Sequence, residues 1–288
     1  MKLHLLDATY ELFRAYFGVE PDQAPDGRQV GAVSGLVATT LALLREPEVT
    51  HLGAATDHVI RSFRNDLWAG YKTEEGVPED LMAQFPLAEQ ALEAIGVTVW
   101  RMVEFEADDA LAAAASRWTG DVEQVVICTP DKDLAQCVVE RTVVQLDRRR
   151  QITYDEDGVR EKFGVSPVSI PDWLALVGDS ADGFPGLPGW GEKSATTLLA
   201  RWKHLEAIPP EPAAWEVKVR GADRLAETLR NRMEEALLFR RLATLRLDVP
   251  LAETLEDLRW KGVPRERWLA FCDELGFERL KDRPHRWV

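Results

Sequence analysis

The chain has 288 residues, of which 45% are hydrophobic and 29% charged, and its formal net charge is −14. This composition is ordinary for a globular protein with one large domain or two intimate ones. Three cysteines without a CxxC pair argue against a disulfide framework. No apolar run approaches the roughly 20 residues of a membrane span. We therefore expect a cytoplasmic protein that touches no membrane and binds any polyanion through local basic patches.

Short apolar runs alternate with amphipathic segments over the first half of the chain, which is the pattern of a parallel α/β sheet. The segment 61–85 has no strand pattern and is expected to be a mobile, arch-like insertion above the ligand-binding edge of that sheet. Helices are predicted at Ala32–Leu44, Leu81–Ile95 and 108–118. Strands are predicted at 2–7, 51–57, 97–100, 125–129 and 141–147, with 151–154 as an edge hairpin.

From about residue 160 the pattern becomes helical, with a long amphipathic run at Leu225–Leu245. The expected fold class is thus α/β, with a central, mostly parallel sheet flanked by helices and a helical region after it. The expected domains are a core at 1–165 and a helical region at 166–288.

Acidic residues stand where the predicted strands end. Ligands in an open α/β sheet gather at the carboxyl ends of its strands. Carboxylates that converge there need a counter-cation, and oxygen ligands without His or Cys favour Mg²⁺ or Mn²⁺. For the run 106–109, a well-capped helix start is the alternative interpretation. The nine candidate ligands are Asp7, Asp57, Glu106, Asp108, Asp109, Asp131, Asp133, Asp179 and Asp182.

A glycine-rich string at 186–195 is the second strong signal. Its glycines allow positive φ, and it delivers the N-terminus of the next helix outward, where exposed N–H groups suit a phosphate. This is the logic of a helix-hairpin-helix module, expected at 172–203, which holds the DNA backbone without reading its sequence. An ordinary turn between two helices is the alternative. The candidate DNA-binding residues are Gly186, Gly189, Gly191, Lys193 and Ser194.

Taken together, the motifs resemble those of the 5′-nuclease family, which includes flap endonucleases and the 5′→3′ exonuclease domain of bacterial DNA polymerase I. The similarity runs from residue 3 to about 247. It rests on Asp7 with Phe13-Arg14-Ala15-Tyr16, Asp57 with Ser62-Phe63-Arg64 and Tyr71-Lys72, Glu106–Asp109, Thr129–Gln136, and Gly178–Asp182.

The resemblance implies a 5′→3′ exonuclease and structure-specific 5′-flap endonuclease that uses two divalent metals on flap, nicked or gapped DNA in replication and repair, as a monomer. Asp7, Asp57, Glu106, Asp108 and Asp109 would hold the first Mg²⁺ or Mn²⁺. Asp131, Asp133, Asp179 and Asp182 would frame the second. Lys72 and Arg14 would contact the scissile phosphate, Arg64 would bind DNA, Tyr71 would stack on an unpaired base, and the 186–194 hairpin would bind K⁺.

The chain departs from the family pattern at Glu75, where a basic residue of the arch is usual, and at Ala8-Thr9-Tyr10 and Gly183-Phe184. Acids where a phosphate must pass would repel it. One alternative function is therefore a non-catalytic or weakly active DNA-structure binder. A second is a PIN-like ribonuclease, which the hairpin at 186–195 disfavours.

Overall fold

The computed structural model describes all residues from 1 to 288, which form six β-strands and twelve α-helices. The strands are β1 (Lys2–Asp7), β2 (Val49–Asp57), β3 (Thr98–Met102), β4 (Gln124–Cys128), β5 (Val143–Asp147) and β6 (Ile152–Tyr154). The helices are α1 (Ala8–Gly18), α2 (Gly31–Leu43), α3 (Arg64–Leu67), α4 (Glu79–Met82), α5 (Phe85–Ala94), α6 (Ala107–Trp118), α7 (Glu156–Phe163), α8 (Ile170–Val177), α9 (Glu192–Trp202), α10 (Ala222–Asn231), α11 (Met233–Ala243) and α12 (Arg265–Leu275).

The chain divides into two compact units. The first unit comprises residues 1–60, 74–129 and 246–288, and the second comprises 61–73 and 130–245. This division differs from the expected one, because residues 130–165 belong to the second unit and the chain's last 43 residues belong to the first. The expected arch-like insertion is also split, since 61–73 and the residues from 74 onward fall in different units.

The first unit contains a parallel sheet in the order β3-β2-β1-β4. The inner strands β1 and β4 are largely apolar because both faces are covered, and Leu3, Leu5 and Leu6 of β1 are fully buried. Asp7 pairs in register with Ala55, so β1 and β2 end at the same edge. The predicted parallel core is therefore confirmed, and its carboxyl edge carries the first acidic residues.

The second unit contains an antiparallel hairpin, β5–β6, followed by helices α7 to α11. Proline opens α8, where the missing N–H costs nothing. The apolar faces of α8, α9, α10 and α11 pack into one core around the fully buried Trp215 and Phe239. This core holds the segment that carries the second acidic residues.

Two predicted helices are each divided in the structure. The run Leu225–Leu245 forms α10 and α11, which separate at Arg232 where the backbone leaves helical geometry. The run Leu81–Ile95 forms α4 and α5. At this second junction Pro86, in the first turn of α5, has no N–H to donate to the Met82 carbonyl, so the helix breaks before it. The buried Gln84 side chain accepts from the Ala32 N–H at 3.0 Å and so serves the start of α2. No helix is long and apolar enough to cross a membrane.

Candidate metal centres and nucleic-acid interface

Asp7 and Asp57 close two neighbouring strands of the first unit, and their oxygens are fixed by hydrogen bonds. The buried Asp7 accepts from the Tyr10 N–H at 2.8 Å, which caps α1, and from the Thr129 hydroxyl at 2.8 Å. Asp57 accepts from the N–H of Ala107, the first residue of α6, at 2.8 Å. The strand ends and the N-terminus of α6 thus place carboxylates at one edge of the sheet.

The acidic run 106–109 at the start of α6 caps this helix. Glu106 is the N-cap of the helix, and Asp109 accepts from its N–H at 3.0 Å to complete a capping box. Asp109 is fully buried, and its other oxygen accepts from the Arg246 N–H at 2.9 Å. Both Asp109 oxygens therefore serve the backbone, which favours the capping interpretation for this residue. Asp108 lies in the same first turn.

Three acids of the second unit form a tight cluster, which we call the Asp133 cluster. Carboxylate oxygens of Asp133, Asp179 and Asp182 lie within 4.8 Å of one another. Asp131 stands beside them and accepts from the Asp133 N–H at 2.9 Å. The structure thus brings together all four residues expected at the second metal.

The Asp133 cluster fits a divalent cation. The Oδ1 atom of Asp133 is buried without a hydrogen-bond partner, and such an oxygen is costly unless a cation binds it. Burial, together with the charges of Asp131, Asp182 and Asp179, raises the pKa of Asp133 well above its usual value. The donor set is entirely oxygen, as Mg²⁺ and Mn²⁺ prefer.

Two lysines contact the Asp133 cluster. Lys132 Nζ lies 2.6 Å from Asp179 Oδ2, and Lys72 Nζ lies 3.0 Å from Asp182 Oδ1. Burial lowers the pKa of Lys132, but its hydrogen bond to Asp179 and the charges of Asp133, Asp179 and Asp131 outweigh burial, so the net shift is upward. Both ammonium groups therefore act as counter-charges to the carboxylates.

The structure corrects two of the expected DNA contacts. Tyr71 is only 3% exposed, packs in the core of the second unit and donates its hydroxyl to Asp182 at 3.2 Å. Arg64 is 1% exposed and donates to the Leu242 carbonyl at 2.7 Å. Neither side chain offers a surface to a base or a phosphate, so Tyr71 orients Asp182 and Arg64 secures the segment 61–73. Arg14, which was expected to contact the scissile phosphate, is paired with the buried Glu11.

The loop 178–186, which leads into the glycine-rich string at 186–195, is held by backbone contacts closer than any side chain allows. Gly178 and Gly186 have positive φ, and a Cβ on Gly186 would lie 2.4 Å from the Gly178 nitrogen. Asp179 and Phe184 exchange backbone hydrogen bonds of 2.8 and 3.0 Å between these glycines. The loop 178–186 therefore fixes the backbone of Asp179.

Beyond this hairpin, the N-terminus of α9 opens onto a cavity of about 650 Å³. The Ser194 hydroxyl accepts from the Gly191 N–H at 3.1 Å and forms the turn into the helix. Lys193, Lys218 and Arg220 line the cavity together with Gly189, Gly191 and Ser194. Exposed N–H groups and three cations in one concave surface suit a phosphodiester backbone.

Sequence reasoning missed the residues that orient the acids. The Thr129 hydroxyl holds Asp7, and the Thr9 hydroxyl accepts from the Asp57 N–H at 2.8 Å. Gln145 donates to the Asp131 carbonyl. Thr129 lies inside the recognised motif Thr129–Gln136, and Thr9 lies two residues after Asp7. Proximity to an acidic residue was the one signal that could have indicated them.

The fold is similar to those of several solved nuclease structures. One is T5 5′-exonuclease with bound zinc ions, with a TM-score of 0.68 and 17% identity over 84% of this chain and 89% of that one. Another is the catalytic core of Rad2 in complex with DNA substrate (TM-score 0.62, 14% identity, 96% and 87%). A third is human GEN1 in complex with Holliday junction DNA (TM-score 0.61, 14% identity, 96% and 68%). The class is thus a PIN-like, resolvase-type α/β fold with a SAM-like helical part.

Sequence comparisons identify the family. The model of the 5′-3′ exonuclease N-terminal resolvase-like domain matches residues 2–164, and that of the C-terminal SAM fold matches 165–266. The chain is 33% identical over 287 residues to DNA polymerase I of Bacillus caldotenax, covering 98% of this chain and 32% of that protein. It is also 33% identical over 290 residues to DNA polymerase I of Pseudomonas aeruginosa (97% and 31%). The chain spans about a third of these relatives. It belongs to the 5′-3′ exonuclease family, whose members hydrolyse phosphodiester bonds.

Proposed function

We propose that the chain uses Mg²⁺ or Mn²⁺ to remove nucleotides from 5′ ends and to cleave 5′ flaps of branched DNA. The observation that carries the metal requirement is the Asp133 cluster, with three converging carboxylates and one buried oxygen that lacks a partner. Family membership supplies the reaction class. We also propose that it acts as a monomer in the cytoplasm, where its three cysteines, which form no disulfide, remain reduced.

The acids of each unit have separate tasks in this proposal. Bound divalent ions lower the pKa of a coordinated water and neutralise charge on the scissile phosphate and its leaving oxygen. Asp7, Asp57, Glu106 and Asp108 would hold the first ion, with Asp109 securing the helix start. Asp131, Asp133, Asp179 and Asp182 would hold the second. Lys72 and Arg14 supply positive charge toward the phosphate.

The cavity at the start of α9 is proposed to hold the duplex backbone. Its N–H groups and the side chains of Lys193, Lys218 and Arg220 offer donors to phosphate oxygens without contact to base edges. Such contacts position DNA but carry no sequence information, as a structure-specific nuclease requires. A K⁺ ion held by the 186–194 hairpin would add to this electrostatic contact.

A weakly active DNA-structure binder is the second candidate. It is favoured by two adjacent exposed acids, Glu74 and Glu75, of which Glu75 stands at the position expected to carry a basic residue. The ribonuclease alternative is disfavoured, because the family match extends through the helical part that carries the hairpin.

The two candidates separate when DNA binding and cleavage are measured on the same 5′-flap duplex. Binding is measured in Ca²⁺, and cleavage is measured after exchange into Mn²⁺. The nuclease predicts turnover in Mn²⁺ at a DNA concentration that saturates binding in Ca²⁺. Saturable binding with no product would instead favour the binder.

A further inference from the structure

Asp179, like Asp182, has partners on both carboxylate oxygens. Its Oδ1 accepts from the Ala181 N–H at 2.9 Å, and its Oδ2 receives the Lys132 ammonium at 2.6 Å. The residue is 4% exposed, so water does not replace these partners. An ion that binds Asp179 through Oδ2 therefore competes with Lys132 for that oxygen.

Repulsion between two cations on one carboxylate makes this competition strong. Asp131, Asp133, Asp179 and Asp182 are opposed by two ammonium groups, those of Lys132 and Lys72. A divalent ion among the same carboxylates would repel an ammonium that remains a hydrogen-bond length from one of them. Lys132 can leave, because its side chain is 35% exposed and its stem is flexible.

We propose that Lys132 is the counter-cation of Asp179 in the metal-free protein, that a divalent ion displaces it, and that the released ammonium then binds a substrate phosphate. This inference rests on the proposed metal site at the Asp133 cluster. It adds a role for Lys132 that links metal loading to DNA binding. A lysine suits the role because its compact charge has three donors and needs no fixed planar geometry.

The test uses Lys132→Met, which keeps much of the stem and removes the charge. Mn²⁺ binding is measured by electron paramagnetic resonance without DNA, and flap affinity is measured in Ca²⁺ at several salt concentrations. We expect Mn²⁺ affinity at the Asp133 cluster to rise about three- to tenfold, because the competing cation is gone. We expect flap affinity to fall and its salt slope to decrease by about one, as for one lost phosphate contact.

Lys162→Met is the matched control. Lys162 belongs to the same unit and lies over the Tyr154 ring at 4.4 Å, without an ion pair. If Lys162→Met raises Mn²⁺ affinity as much as Lys132→Met, the gain comes from removing any nearby positive charge, and the displacement is refuted. Unchanged or weaker Mn²⁺ binding in Lys132→Met also refutes displacement, and unchanged flap affinity refutes the phosphate contact. Asp133→Asn identifies the signal of this site. If the wild type lacks that signal, the proposed metal site fails, and this inference fails with it.

Discussion

At the scale of single residues, aspartates can either bind a metal or cap a helix. Only the hydrogen-bond partners of each carboxylate show which role it has. Asp133 has a buried oxygen with no donor, whereas both oxygens of Asp109 accept backbone N–H groups. The acidic run could be found from sequence, but these partners could not. Arg64 illustrates the limit, because the carbonyl that buries it lies 178 residues further along the chain.

Asp133→Asn tests whether the Asp133 cluster is built for a cation. The amide removes a buried carboxyl group that the neighbouring acids disfavour, so the metal-free variant should melt a few degrees above the wild type. Added Mn²⁺ should raise the melting temperature of the wild type, but much less that of the variant. Calorimetry in chelator and in Mn²⁺ measures both effects.

The control is Asp157→Ala, which removes an acid that is 87% exposed in the same unit. A metal-free Asp133→Asn protein that melts below the wild type, or that gains as much from Mn²⁺, would contradict a cation site at Asp133.

At the scale of elements, strands were predicted best because continuous apolar runs have few alternative structures. Helix breaks were not predicted, because the amphipathic patterns continue on both sides of Arg232 and of Pro86. Of the two, only Pro86 was a sequence signal for a break. The glycine-rich string at 186–195 was recognised from its sequence. The sequence did not show that the preceding loop, 178–186, fixes the backbone of Asp179. That function depends on a glycine pair with no room for side chains.

Gly186→Ala should therefore destabilise the protein by about 2 kcal/mol or more, because it combines positive φ with a backbone clash. Gly191→Ala is the matched control, since its Cβ would meet no atom within 4 Å and its φ of −150° suits any residue. Urea unfolding of both variants measures the difference. Equal losses would show that close packing at Gly186 is unimportant.

At the scale of the whole molecule, a net charge of −14 must coexist with the proposed DNA binding. The acids at the proposed metal sites account for part of it, and the cations around α9 are local. A net negative charge alone argues against a polyanion as partner. The motifs outweigh it, because the acidic runs and the glycine-rich string all match metal-dependent cleavage of nucleic acid. The division of the chain into units could not be predicted, because residues 246–288 return to the first unit.

Glu75→Arg should raise cleavage of a 5′ flap several-fold at low salt, because an exposed acid that repels phosphate becomes a cation. The measurement is kcat/KM with 5′-flap DNA at two ionic strengths. Glu161→Arg makes the same charge change at an exposed position of α7. An equal gain in both variants would assign the effect to net charge, and no gain would show that Glu75 does not limit the reaction.

The most direct test of the central claim is cleavage of a 5′-fluorescent flap duplex in Mg²⁺ or Mn²⁺. The wild type is compared with an Asp131→Ala/Asp133→Ala double variant. We expect metal-dependent release of short 5′-labelled products, which chelator abolishes. The rate of release should fall about 100-fold or more in the double variant. Undiminished cleavage by the double variant, or no cleavage by a wild type that binds the flap tightly, would contradict it.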